Sequence, residues 1–552
     1  MRPPSPSERG APLEANSRAG STGAVDGGRG GRSSRGQLVD GAAVLLVLAG
    51  CAARLNHLAS NRSLWLDESM LGMNILYLPW RRLVGPLDYR QAAPVGFLLL
   101  ERLVVTLLGP SEWTLRLVPF LAGCAALPLT WALAKRLVRP GPALVALGIV
   151  AMSIPAIYFA AEVKQYSGDL LACVGLLLLA ARYREEPDDH GRFRALLAAG
   201  MLAPWFSHPA TFVLAATGLV LALEAVKRRR IESVFPLALL AAGWSASFGI
   251  LWVISLSRDP ARDSLIGYWA GLGCFPPTSL WAQPGWILST ASRIARDTVG
   301  LPIPALAVVL AAAGLSSLLA GPRRVWGALF VLLFSIAFGA SALRLMPLCD
   351  RLALYLVPVV ALLLAAAVDQ VSASTWYADR RSRRVFQAAA IAVLAVTAIR
   401  YPWRRVVEPP ARDHLRPVLE ALARRTAPGD VVLVHYRAWA ATSLYSRLLD
   451  LPDLHARRFG NWPASDKAPR SRRGPVGLVA ELPANGRTWF VSVQASRREG
   501  EDNRAILDAF RRRGRQLDSI ESSGAGAWLF DLLPPAGPGS PRAPASRANT
   551  GE

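Results

Sequence analysis

The chain has 552 residues, 52% of them apolar and only 18% charged, which is too apolar for a string of soluble domains. Five cysteines in that length cannot staple a disulfide scaffold. The net charge of +23 raises the question of nucleic acid. The basic residues, however, fall in short clusters between apolar runs, as in the loops of a polytopic membrane protein, and nucleic-acid binding is rejected on that ground. The Arg/Ala/Gly/Pro-rich composition fits a GC-rich, bacterial source.

Residues 1–36 are rich in Pro, Ser, Gly and Arg and are expected to be a disordered tail. The first apolar run, 41–58, reads as an uncleaved signal anchor. Further runs near 114–134, 142–160, 168–182, 195–207, 209–226, 234–256, 302–320, 325–343, 352–371 and 385–400 bring the expected count to about eleven transmembrane helices, each near the length needed to cross ~30 Å of hydrocarbon. The stretch 92–108 is left out of that count. Glu101 and Arg102 lie inside it, each costing about 2.5–3.5 kcal/mol at a bilayer centre, so an amphipathic helix along the interface is expected.

Charge sets the orientation. With eleven spans, one set of short loops holds seventeen basic residues, from Lys135 to Arg384, whereas the opposite short loops hold only Lys164, Arg344 and Arg351. The positive-inside rule then places the N-terminus in the cytoplasm. A transmembrane domain over 37–400 is expected to expose two long outer loops, 59–113 and 257–301. A small extracytoplasmic α/β domain follows over 401–533: helices at 412–426, 440–449 and 503–514 alternate with strands at 429–436, 487–494 and 527–533. Residues 534–552 are again Pro/Gly/Ser-rich and are expected to be disordered. No two-fold duplication of the spans is visible, which disfavours a transporter.

The segment Ser63-Leu64-Trp65-Leu66-Asp67-Glu68-Ser69 in the first outer loop sets two adjacent carboxylates close after a span. A carboxylate there can take the proton of an attacking alcohol or hold a divalent cation; the plain alternative is a solvated acidic loop with an interfacial Trp. Other marked segments lie on the same side: Gln91 to Pro94, Leu115 to Pro119, Glu162-Val163-Lys164-Gln165-Tyr166-Ser167, and Arg351, Tyr355 and Pro358 around the tenth span. Asp169 and His208 are further polar residues at span ends. The six histidines show no zinc spacing, and no Walker A or Rossmann fingerprint is present. Cys274 and Cys349 are the two cysteines of the outer loops; a bridge between them and a pair of unpaired thiols are both open.

In the order and common sidedness of these segments the chain resembles the GT-C superfamily of polyprenyl-phosphate-dependent glycosyltransferases, and within it bacterial members related to protein O-mannosyltransferases, the lipid A aminoarabinose transferase and the Rgt-type enzymes. The likeness covers about residues 38–400. It implies a polytopic α-helical, GT-C-like membrane protein of the cell membrane. Its donor would be a polyprenyl-phosphate-linked sugar, its acceptor a lipid, glycan or protein hydroxyl, and transfer would be inverting. Asp67 and Glu68 are then the expected catalytic pair, with Glu68 supporting the base or joining it on Mg²⁺ or Mn²⁺. Lys164, Arg351 and Arg344 are expected at the donor phosphate, and Gln91, Glu162, Tyr166, Asp169 and His208 at the substrates. Where relatives carry His or Lys before a Pro-Pro turn, this chain has Gln91-Ala92-Ala93-Pro94, so that cationic contact must come from elsewhere. A lipid flippase and a non-catalytic envelope-assembly protein are the competing readings; loss of turnover in Asp67→Ala separates an enzyme from both.

Overall fold

The computed structural model describes residues 34–533 apart from 230, 280–282, 374–402, 453–455, 461–476, 478, 480–481, 483–485 and 495–496. The expected eleventh span and most of both tails lie outside the described residues. Among those described, seven helices are long and apolar enough to cross a membrane. They begin with α1 (Ser34–Ala59) and continue, after helices α2 (Leu66–Tyr77) and α3 (Val95–Leu108) of the first long loop, with α4 (Glu112–Leu137). The other five runs are Tyr166–Glu185, Ala210–Lys227, Val234–Arg258, Arg324–Ala342 and Asp350–Val371. Two shorter apolar helices, Pro140–Met152 and Pro304–Ala320, accompany them. The protein is thus a mostly helical, multi-pass membrane protein.

The expected span at 142–160 is two helices, α5 (Pro140–Met152) and α6 (Ile154–Phe159). The break has a local cause. Pro155 has no N–H to donate and disfavours helical backbone before it, while the Ser153 hydroxyl accepts the Ala156 N–H at 3.3 Å and starts the second helix. The turn that follows carries Glu162 and Lys164 into α7 (Tyr166–Glu185). The helix α8 (His190–Phe206) and α9 (Ala210–Lys227) meet at His208-Pro209 as expected. Residues 92–108 form a helix only after Pro94. In it Arg102 turns back to cap α2, donating to the Ile75 carbonyl at 2.7 Å and also to that of Leu76.

The C-terminal region is an α/β unit with a five-stranded sheet. Its strands are β1 (Val431–His435), β2 (Arg457–Phe459), β3 (Gly486–Val493), β4 (Gly514–Ser522) and β5 (Ala525–Leu532), in the order β2-β1-β3-β5-β4. β1 is parallel to β2 and β3, whereas β3–β5 and β4–β5 are antiparallel. β1, β3 and β5 were expected; β2 is a three-residue edge, and β4 alternates one intermediate and one exposed residue, which leaves no apolar run to see. Helices Leu415–Arg425 and Tyr436–Leu448 cover one sheet face and Arg497–Arg513 the other. The first of these starts three residues later than expected. Residues 412–414 instead lie against the first long loop.

The division expected near 401 does not separate two cores. Leu71 and Ile75 of α2 and Phe97 and Leu98 of α3 share one buried cluster with Leu415, Leu419, Leu444, Trp489 and Leu529 of the C-terminal unit. A Cβ on Gly72 would lie 3.0 Å from the Leu444 side chain. Burial of such Leu and Ile side chains is worth roughly 1.5–3 kcal/mol each. The sheet unit is therefore seated on the loop that carries Asp67.

Candidate active site

α2 begins one residue before Asp67, so Asp67 and Glu68 both lie in its first turn, where carboxylates are favoured. Successive positions on a helix point about 100° apart, and the pair diverges accordingly. Glu68 turns inward and is fully buried. Its Oε1 accepts from Arg116 Nε and from the Val163 N–H, both at 2.9 Å, and its Oε2 accepts from Arg116 Nη2 at 2.8 Å and the Trp65 N–H at 3.3 Å. Burial pushes the carboxyl up, but the charge and hydrogen bonds of Arg116 outweigh it and hold Glu68 below the ordinary carboxylate range. Every strong acceptor position on Glu68 is taken. The side chain is engaged by Arg116 and points away from Asp67, with which it was expected to pair.

Asp67 turns outward, with 23% of its side chain exposed, and its Oδ2 accepts from Arg351 Nη2 at 2.7 Å. The Arg351 guanidinium lies among three aromatic faces, 5.4 Å from Trp65, 5.4 Å from Trp269 and 5.9 Å from Tyr166, which orients a planar cation without using its donors. Lys164 Nζ donates to Gln91 Oε1 at 2.7 Å. Burial lowers the ammonium pKa, with the Asp67 carboxylate opposing the fall. Gln91 thus occupies the place of a cation by holding one. Glu162 is fully buried, with the Tyr158 hydroxyl nearby but no hydrogen bond of ordinary geometry to either oxygen; burial first, then the Glu68 charge, pushes its pKa up, against the charges of Arg62 and Arg412.

Of the expected residues, Asp67, Arg351 and Tyr166 come together, with Lys164, Gln91 and Glu162 beside them. Asp169 is buried one turn further along α7, with Oδ1 unpartnered. His208 sits in the turn between α8 and α9, where its carbonyl accepts from the Thr211 hydroxyl at 2.8 Å; no hydrogen bond joins it to the cluster among the described residues. Arg344 is exposed and lies 6.0 Å over the Phe275 ring, and among the described residues no hydrogen bond or ion pair joins its side chain to Asp67. Cys274 and Cys349 are bridged, with Cα atoms 5.4 Å apart. The bridge packs with Trp269 and Phe275 in one buried cluster, and Leu348 N–H donates to the Cys274 carbonyl at 3.1 Å. The loop at 257–301 is thereby tied two residues upstream of Arg351.

The site also holds residues that sequence reasoning missed. Arg116 lay inside the Leu115–Pro119 segment without an assigned partner. Arg62, buried, stacks 4.3 Å over Tyr158 and donates to the Ala161 carbonyl at 3.0 Å. From the far end of the chain come Arg412, 4.7 Å over the Trp65 ring, and Asp413, whose Oδ2 accepts the Leu66 N–H at 3.4 Å. Burial raises the Asp413 carboxyl to about 6. Spacing could not reveal these last two, because Leu66 and Asp413 are 347 positions apart. Among the described residues no three of His, Cys, Asp and Glu gather as a metal-binding group, and the Asp67–Glu68 pair does not fit one, since its members point apart.

No family model matches the chain, and no curated protein matches it. Solved structures do. The oligosaccharyltransferase of Archaeoglobus fulgidus tethered with an acceptor peptide containing the NVT sequon superposes with a TM-score of 0.52 at 12% identity, over 90% of this chain and 75% of that one. ArnT from Cupriavidus metallidurans in the apo state superposes with a TM-score of 0.50 at 13% identity, over 91% of this chain and all of that one. The chain therefore has the GT-C fold that ArnT and the archaeal oligosaccharyltransferase share.

Proposed function

We propose that the protein is a membrane glycosyltransferase that moves a sugar from a polyprenyl-phosphate donor to an acceptor hydroxyl, with inversion, on the extracytoplasmic face. The observation that carries this reading is the partly exposed Asp67 carboxylate, held at 2.7 Å by Arg351 with Lys164 close by, on a fold whose solved examples include ArnT and an oligosaccharyltransferase. A fold alone does not fix chemistry; the residues must supply it.

Three tasks have to be met. The acceptor hydroxyl needs a base, and Asp67 has one oxygen engaged by Arg351 and the other left for that proton. As the hydroxyl oxygen bonds to the anomeric carbon, the bond from that carbon to the phosphate oxygen breaks, and its electron pair leaves on the lipid phosphate. Arg351 and Lys164 face that growing charge, and charge-assisted bonds there strengthen as the bond breaks. Lys164 is the more sensitive of the two, since burial lowers its pKa while an arriving phosphate would raise it. Glu68 fixes the backbone from which Asp67 projects. Gln91 aims Lys164, and Tyr166 aims Arg351. With the donor set unsuited to Mg²⁺ or Mn²⁺, no step is routed through a cation. The N-terminus is assigned to the cytoplasm and the sheet unit to the outside of the cell membrane, as the distribution of basic loops requires.

The test is Asp67→Asn in purified, lipid-reconstituted protein. The substitution keeps the volume and removes the basic oxygen, so transfer is expected to fall by about 10²-fold or more. Near-normal transfer would refute the assignment.

A further inference from the structure

The cations around Trp65 and Tyr158 outnumber the carboxylates that meet them. Arg351 and Arg412 both lie against Trp65, at 5.4 and 4.7 Å. Arg62 and Arg412 both lie against Tyr158, at 4.3 and 5.2 Å. Asp67 answers Arg351, and Glu162 lies close enough to Arg62 and Arg412 for their charges to act on its carboxyl, yet among the described residues Arg412 has no ion pair and no hydrogen bond. Arg62 donates only to a backbone carbonyl. The imbalance extends to single atoms. Arg62 Nη1, Arg351 Nε and Trp65 Nε1 are all buried with no acceptor, while Glu162 and Asp413 Oδ1 are buried with no donor in ordinary geometry, and burial pushes both carboxyls up, toward the protonated form that leaves the cations unanswered. Unsatisfied buried donors are rare in folded proteins, and each asks for an explanation. Three of them, bracketed by the same two rings and joined by an exposed guanidinium, describe a place for a ligand that only accepts hydrogen bonds and carries negative charge.

Arg412 comes from the C-terminal unit, and its placement is enforced there. The His414 N–H donates to the Ser523 carbonyl at 2.8 Å, and the Ser523 hydroxyl donates to the Ala411 carbonyl at 3.2 Å. Gly524, at φ +70° in the β4–β5 turn, comes so close that a Cβ there would lie 1.7 Å from the Arg412 carbonyl oxygen. On its other side the segment is stitched to the first outer loop. Asp413 accepts the Leu66 N–H, the Arg416 N–H donates to the Ser63 hydroxyl at 3.1 Å, and Tyr445 accepts the Leu64 N–H at 2.7 Å. The hairpin turn thus presses residues 411–414 onto the loop that holds Trp65 and Asp67.

We propose that Arg412, delivered by the C-terminal unit, joins Arg62, Lys164 and Arg351 in a four-cation cradle for the monoester phosphate of the lipid carrier. This deepens the glycosyltransferase reading and rests on it. It makes the C-terminal unit part of the donor site, and its turn at Gly524 a positioning element for a residue of that site.

The experiment measures binding of undecaprenyl phosphate to the purified full-length protein in nanodiscs. Arg412→Ala is expected to weaken binding by about tenfold or more, as loss of a charge-assisted bond does. Arg412→Lys should restore part of it, because the charge returns without the planar fork. Gly524→Ala should weaken binding in the same direction, although it adds only a methyl group far from the phosphate in sequence. Thermal unfolding of each variant separates local loss from misfolding; a destabilised Arg412→Ala leaves the decision to Arg412→Lys and Gly524→Ala. Wild-type affinity in Arg412→Ala beside weakened binding in Arg351→Ala and Lys164→Met would overturn the cradle and leave the function standing. The same pattern would result if Arg412 served a phosphate on the acceptor. Wild-type protein without measurable affinity would overturn both.

Discussion

Replacing Arg116 by methionine removes one partner of the most buried ion pair in the site. Arg116 is 1% exposed and Glu68 not at all. The substitution deletes two bonds to the Glu68 carboxylate, at 2.9 and 2.8 Å, and a third to the Arg62 carbonyl at 2.8 Å. It leaves a carboxylate out of water with only the Val163 and Trp65 N–H groups for company. Stripping one partner from a buried pair costs about 3–5 kcal/mol. Part of that is recoverable by protonating Glu68, whose pKa would then rise through loss of Arg116 and burial together. The loss should therefore be smaller at pH 5 than at pH 8. The assay is unfolding of the purified protein in detergent, with transfer measured on the same samples. A double variant, Glu68→Gln with Arg116→Met, removes the stranded charge and should be more stable than Arg116→Met alone, although Glu68→Gln alone, which strands Arg116, should be destabilising, a pattern that additivity does not allow. A loss under about 1 kcal/mol in Arg116→Met, or a double variant no better than the single, would refute the view that this pair anchors the Asp67 loop.

Further outcomes follow from the same geometry. Asp413 is nearly fully buried and its pKa is raised to about 6; the folded state then holds a proton that the unfolded state has released, so stability declines as pH rises from about 4 to 6 and stays lowered above that. Asp413→Asn should flatten that decline in a melting profile, and a decline unchanged in the variant would exclude Asp413 as its source. Opening the Cys274–Cys349 bridge with a membrane-impermeant reductant frees a link across 75 positions, worth about 4 kcal/mol in chain entropy. It should also raise the KM for donor by loosening Trp269 against Arg351, and an unaltered KM together with an unaltered melting point would contradict this. Reporter fusions at positions near 140 and 229 should report cytoplasm and one near 430 the exterior; a cytoplasmic signal at 430 would remove the C-terminal unit from the reaction side.

The helices were legible because their apolar runs are long and continuous. Asp67, Lys164 and Arg351 stood out as charges near the ends of apolar runs, where a carboxylate or a cation is conspicuous. The rest depended on direction and distance in space. Nothing in Asp67-Glu68 says which side chain faces inward; that is set by Arg116 and by the phase of α2. Arg344 and Arg351 look alike in sequence, yet one is exposed over Phe275 and the other is wrapped by Trp65, Tyr166 and Trp269. The segment at 412–414 read as helix because Leu415, Val418, Leu419 and Leu422 continue a helical stripe. Pairing with a loop some 350 positions away overrides that local preference at its first turn.

The stitching of residues 63–66 to residues 413–445 also governs when the protein becomes whole. Tyr445 meets Leu64 across 381 positions. A ribosome adding about 5–20 residues each second needs some tens of seconds to make that stretch. During that time the loop at 59–113 is without its seat. α2 and α3 meanwhile expose the apolar faces that later join the sheet unit, and Leu71, Phe97 and Leu98 are the side chains at risk. Chains cut short before the sheet would hold that surface open for good, so quality control has a plain mark by which to tell an unfinished molecule from a finished one.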